Sequence, residues 1–178
     1  EKRLTQAIRR AYRLEEAPVQ EPTGETALVP ARFINAKPRR RLGLASVLDA
    51  FDRELDRKVT LFTVPNGSGE ESELYQLVRG AARSQHKSVC TVYDWIEANG
   101  QRWCVAEALE GETLDQMIRN RGPRSVAQAA ELVAQIADGV EALNQSGGKC
   151  GLICPANILV RWTGPLLTPL CTPLATYG

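Results

Sequence analysis

The spacing of apolar positions divides this chain into stretches of different period. Across residues 2–16, Leu4, Ile8, Ala11 and Tyr12 recur at helical spacing, with Arg9, Arg10 and Arg13 on the other face. That pattern predicts a short basic amphipathic helix. Pro18, Pro22, Gly24 and Pro30 then break every period, so residues 17–35 are predicted as a Pro-rich linker. Val59, Leu61, Thr63 and Val64 predict a strand from Lys58 to Val64, followed by the turn-rich Pro65-Asn66-Gly67-Ser68-Gly69. Residues 70–84 read as a helix carrying Leu74, Leu77 and Val78 on one face. Val89 to Ile96 and Arg102 to Leu109 read as strands, joined through Asn99-Gly100, a strong hairpin signal. Thr113 with Gln116 forms a capping box for a helix to Arg119, which Gly122-Pro123 ends.

Residues 125–144 carry the clearest helical pattern. Val126, Ala129, Val133, Ile136, Val140 and Leu143 form one apolar stripe, and Ala127, Ala130, Ala134 and Ala137 form a second face of small residues. A helix apolar over so much of its circumference is expected to be buried in a core.

Composition narrows the class. The 178 residues are 43% hydrophobic and 24% charged, enough apolar content for a packed domain. A net charge of +1 creates no overall field for nucleic acid or a membrane surface. The local run Lys37-Pro38-Arg39-Arg40-Arg41 reads either as a nucleic-acid patch or as a solvated strand edge. The five Cys residues are odd in number and follow no disulfide spacing, so a reducing, cytoplasmic location is expected. Cys150 and Cys154 lack the tight pair and the second pair of a zinc knuckle, and no metal is expected. No apolar run of about 20 residues could span a bilayer.

The motifs go further. Cys150-Gly151-Leu152-Ile153-Cys154-Pro155-Ala156-Asn157-Ile158-Leu159 resembles the H-R-D-L-K-P-x-N-I-L catalytic loop of bacterial Hanks-type serine/threonine protein kinases. In Ser46 to Leu61, Val47, Ala50, Asp52, Leu55, Arg57 and Val59 are similar to that family's second and third strands. Val105-Ala106-Glu107-Ala108-Leu109-Glu110-Gly111-Glu112-Thr113-Leu114 resembles the family's hinge, and His86 to Asp94 resembles the stretch after the third strand. The resemblance covers about residues 36–170. It implies an α+β fold, with a kinase-like small lobe over residues 36–108 and a partial helical large lobe over 109–178.

Position by position, the resemblance also implies that charged groups of phosphoryl transfer have been replaced. Phe62 stands where the family has its third-strand Lys, Leu152 at the catalytic base, Cys154 at the phosphate-facing Lys and Pro169 at the first residue of D-F-G. Gly43, Glu107 and Asn157 remain as vestiges of a cofactor site. A Leu accepts no proton, and one neutral amide does not hold Mg²⁺. The expectation is therefore a non-enzyme without cofactor: a pseudokinase serving as a scaffold or structural subunit. Partner proteins would bind at Leu4, Ile8 and Tyr12 of the N-terminal helix, and at Val133, Ile136 and Val140 of the 125–144 helix. The chain ends soon after the D-F-G position, so a neighbouring subunit or further chain is expected to cover that helix. Two alternatives stand beside this. One is a residual nucleotide-handling kinase, using Asn157 with Glu73 or Asp94. The other is a ligand or nucleic-acid sensor, using the Phe62 cleft or the Arg39–Arg41 run.

Overall fold

A computed structural model describes residues 29–39, 46–64, 78–148 and 153–168. The N-terminal segment with Leu4, Ile8 and Tyr12 lies outside the described residues, as do Gly43, Leu152 and Pro169.

The first unit is an antiparallel sheet of β1 (Phe33–Pro38), β2 (Val47–Asp52), β3 (Arg57–Val64), β4 (Val92–Ala98) and β5 (Gln101–Glu107), in the order β1-β2-β3-β5-β4. Period-2 alternation sends side chains to both faces, and both faces are buried. Leu48, Ala50, Val59, Leu61, Trp103 and Val105 join Phe33 in a core on one side. Val47, Phe62, Cys104 and Ala106 point the other way. The β4–β5 turn matches the hairpin signal: Asn99 and Gly100 take φ of 54° and 72°, the left-handed pair of a type I′ turn. Two boundaries differ from the sequence reading. β1 opens at Phe33, inside the expected linker, because its ladder with β2 begins at Phe33↔Asp52. Val89 lies outside β4 and makes a parallel bridge to Leu167 instead.

The sheet is rolled. β1 and β4 are its opposite edges, yet Arg32, just before β1, donates to Asp94 on β4 at 3.3 Å. Arg32 also grips Asp52 at the end of β2 through two bonds, of 2.6 and 2.9 Å. The right-handed twist of a sheet accumulates across its strands and brings such edges together.

The second unit holds β6 (Glu112–Thr113), α1 (Leu114–Arg121), α2 (Val126–Gln145), a short 3₁₀ turn (Pro155–Asn157), β7 (Ile158–Arg161) and β8 (Gly164–Leu167). Strands pair in the order β6-β7-β8. Both helices start at complete capping boxes, Thr113 with Gln116 and Ser125 with Gln128. Each satisfies otherwise orphaned N–H groups of the first turn.

One apolar core runs through both units. It joins Val47, Phe62, Cys104 and Ala106 of the sheet to Val78 and Ala81 of the helical residues 78–83. From there it continues to Ile136, Leu143, Ile158, Leu159, Leu166 and Leu167. Residues 78–83 lie against the turn after α2 so closely that a Cβ on Gly80 would stand 2.3 Å from the Gly148 Cα. Only a glycine pair permits that approach.

The expectation of a fully buried 125–144 helix is corrected. Ile136, Gly139 and Leu143 are buried, and Leu132 and Val140 pack partly against the core. Val126 and Val133 remain 88% and 62% exposed, and Ala127, Ala130, Ala134 and Ala137 are exposed with them. A helix that is apolar nearly all round does not itself select which arc meets the sheet.

Candidate interlobe site

The connector between the two units runs from the end of β5 to β6, residues 107–111. Its residues are held from several directions. Glu107 accepts from the Thr91 N–H at 2.8 Å through one carboxylate oxygen and from Arg161 at 3.2 Å through the other. Arg161 comes from β7 and also donates to the Lys87 carbonyl at 2.7 Å. The Leu109 N–H donates to the buried Thr60 hydroxyl on β3 at 3.0 Å. The Leu109 carbonyl accepts from Arg39, just beyond β1, at 2.5 Å. Gly111 turns the chain with φ +109°, and a Cβ there would meet the Val160 carbonyl oxygen at 2.5 Å.

Around this connector the sequence-predicted residues scatter. Phe62 is wholly buried and belongs to the core shared by both units. Asn157 is buried in the 3₁₀ turn, where its carbonyl accepts from the Thr168 N–H at 3.2 Å and the Thr168 hydroxyl at 3.1 Å. Cys154 precedes that turn and is partly exposed. Glu107 holds the connector through its side chain, as described above. Asp94, one carboxylate considered for a residual metal site, bonds Arg32 on the sheet edge. Among the described residues no group of His, Cys, Asp and Glu could hold a metal ion.

The proposed partner-binding residues on α2 are corrected in part. Ile136 and Val140 face the chain's own core, and only Val133 of the three is exposed. Of the basic run, Arg39 follows the edge strand β1 and is not a free surface cation: it pairs with Asp49 at 3.1 Å as well as bonding Leu109. Arg40 and Arg41 lie outside the described residues. Sequence reasoning missed Arg39, Thr60 and Arg161 as a set, since nothing in their local sequence marks them as partners of the connector.

Burial is the largest perturbation of both core cysteines. Desolvation pushes the Cys104 thiol up to about 12. It raises Cys90 well above its ordinary value too, with the nearby Glu107 carboxylate adding to the effect. Both thiols are inert side chains of the core, not nucleophiles.

A rolled antiparallel sheet, a helix end packed behind it, a short connector and the opening helices and hairpin of a second lobe together define a kinase-like α+β fold. Solved structures agree. The protein described as PpkA-294, apo form, superposes with a TM-score of 0.63 at 18% identity, covering 74% of this chain and 56% of that one. Rad53 1-466 in complex with AMP-PNP gives 0.65 at 14% identity, covering 77% and 38%. The chain's homologues in sequence are bacterial Hanks-type serine/threonine kinases. Serine/threonine-protein kinase PknL of Mycobacterium tuberculosis is 27% identical over 153 residues. PknE of Mycobacterium bovis is 28% identical over 124 residues, and PknA of Mycobacterium tuberculosis 25% over 131. These alignments cover 84%, 67% and 68% of this chain. The chain spans only 38% of PknL, 22% of PknE and 30% of PknA. No protein-family model matches it.

These relatives overturn one expectation. The sequence reading made the chain a non-enzyme, whereas the relatives it matches in sequence are named as serine/threonine-protein kinases.

Proposed function

We propose that this chain is a kinase-family module that recruits a partner protein, and that the partner presents a basic amphipathic helix to the outer face of α2. The observation that carries this reading is the exposed arc of α2. It sets Val126 and Val133 among Ala127, Ala130, Ala134 and Ala137. Small side chains let a second helix approach closely. The charges of α2 are all acidic: Glu131, Asp138 and Glu141, with no Lys or Arg between Val126 and Gln145. An apolar stripe in a negative field fits an amphipathic helix carrying Arg or Lys. Residues 2–14 of this same chain have that chemistry, with Lys2, Arg3, Arg9, Arg10 and Arg13 and no acidic residue.

The test is titration of the chain shortened to residues 17–178, which no longer carries the competing segment, with a labelled peptide of residues 1–16, followed by fluorescence anisotropy. Val126→Asp and Val133→Asp should each weaken binding by about tenfold. Binding should also fall as salt rises. A peptide that binds both variants as tightly as the parent, or binds none of them, overturns the assignment.

A second reading is nucleotide handling between the lobes. It is favoured by the likeness to a structure solved with AMP-PNP and by the kinase names of the relatives. Its measure is a Tm that climbs with Mg-ATP concentration.

A further inference from the structure

A second exposed apolar group borders the outer arc of α2. β7 and β8 are joined by a two-residue loop, Trp162-Thr163, since Arg161 pairs with Gly164. Trp162 is 103% exposed, whereas Trp103 is wholly buried. Covering an indole removes a large apolar area from water, and Trp is enriched among the residues that dominate binding. Gly164 fixes where this hairpin tip lies. A Cβ on Gly164 would stand 2.6 Å from the Gln135 side-chain oxygen, so the tip abuts α2 there. Gln135 and Val133 are two positions apart, which sets them about 160° apart around the helix. The exposed Ala130, Ala134 and Ala137, then Asp138 and Glu131, fill the outer arc between them. Gln135 donates to the Glu131 carboxylate at 3.5 Å, which keeps that charge on the side of the tip. Trp162 is two residues from Gly164, within about 7 Å along the chain. Its neighbour Arg161 is engaged by Glu107 and by the Lys87 carbonyl. The indole therefore borders a flank whose carboxylates attract cations, and Trp is the best aromatic receptor for a cation.

We infer that Trp162 receives an arginine or lysine side chain of the segment that docks on α2, through a cation–π contact supported by Glu131 and Asp138. This rests on the docking reading above and adds a second contact to it. The docked helix lays its apolar stripe on Val126, Val133 and the alanines. Its basic fringe crosses the acidic flank to the indole. In residues 1–16 that fringe is Arg9, Arg10 and Arg13.

The experiment uses the full chain carrying Leu4→Asp, Ile8→Asp and Tyr12→Asp, so that its own segment does not compete. It is titrated with the labelled parent peptide of residues 1–16. Trp162→Leu should weaken binding by about fivefold and Trp162→Phe by less, because Phe keeps a ring face and Leu does not. The Tm should stay unchanged in both, since the side chain is fully exposed. Peptides with Arg9→Gln, Arg10→Gln or Arg13→Gln complete a double-mutant cycle. One of them should lose affinity for the Trp162 chain and lose little further for Trp162→Leu. If Val133→Asp weakens binding and Trp162→Leu does not, the indole contact falls and the docking face stands. If Trp162→Leu weakens binding and Val133→Asp does not, the docking face falls and the indole contact stands. Equal losses in Trp162→Leu and Trp162→Phe, with no coupling to any of the three arginines, overturn the cation–π contact. A peptide that binds none of the chains overturns both.

Discussion

Replacing Asp52 by Asn should remove a defined, acid-sensitive part of the stability. Asp52 is wholly buried and accepts two bonds from Arg32, at 2.6 and 2.9 Å. The Glu54 and Leu55 N–H groups donate to the same carboxylate at 3.1 and 3.3 Å. The Arg32 hydrogen bonds are the largest cause that holds the Asp52 carboxyl down from 3.8 to about 2; burial opposes them, and the backbone donors help. That displacement corresponds to about 2 kcal/mol at neutral pH. The amide can still accept from Glu54 and Leu55, but it offers Arg32 no charge. Arg32 keeps Glu54 and Asp94 nearby, at 3.5 and 3.3 Å. The loss should therefore be about 2 to 3 kcal/mol, below the cost of breaking a fully enclosed pair.

The sign of the pH effect follows from the direction of the shift. A carboxyl whose folded value lies below its unfolded value stabilises the fold above the unfolded value. That contribution is lost as pH falls through the folded value. For Asp52 the window runs from 3.8 down to about 2. Urea denaturation of parent and Asp52→Asn across this range checks it. The gap in stability should be widest at neutral pH and should shrink by about 2 kcal/mol by the acid end. Other carboxylates titrate in both proteins and cancel in the difference. A gap that stays constant with pH would refute the reasoning, since the cost would then come from shape and not from charge.

Two further predictions test the connector and the core. Gly111→Ala should cost about 1 to 3 kcal/mol, because φ +109° is strained for any side chain and the new Cβ would collide with the Val160 carbonyl; an unchanged Tm would contradict this. In the folded protein at pH 8, iodoacetamide should modify Cys154 well before Cys90 and Cys104, by about a hundredfold in rate, as read by peptide mass mapping. Equal rates would mean that the core opens far more readily than its packing implies.

By itself, the sequence determined what depends on near neighbours. Asn99-Gly100 specified a type I′ turn, since both residues tolerate positive φ. Thr113 with Gln116 and Ser125 with Gln128 specified two helix starts through bonds closed within a single turn. Val59, Leu61, Thr63 and Val64 marked β3, and ordered motifs disclosed the kinase-like plan. The tertiary structure decided the rest. Only the rolled sheet brought Arg32 to Asp94, 62 positions away. Only packing chose which arc of α2 went inward, turning Ile136 and Val140 to the core and leaving Val133 outside. Arg39 met Leu109 across 70 positions, and Thr60 met it across 49. Contacts of that kind have no period and no local signature. They arise when sheet twist and core packing bring distant backbone groups within hydrogen-bond reach, and that distance exists only in the folded chain.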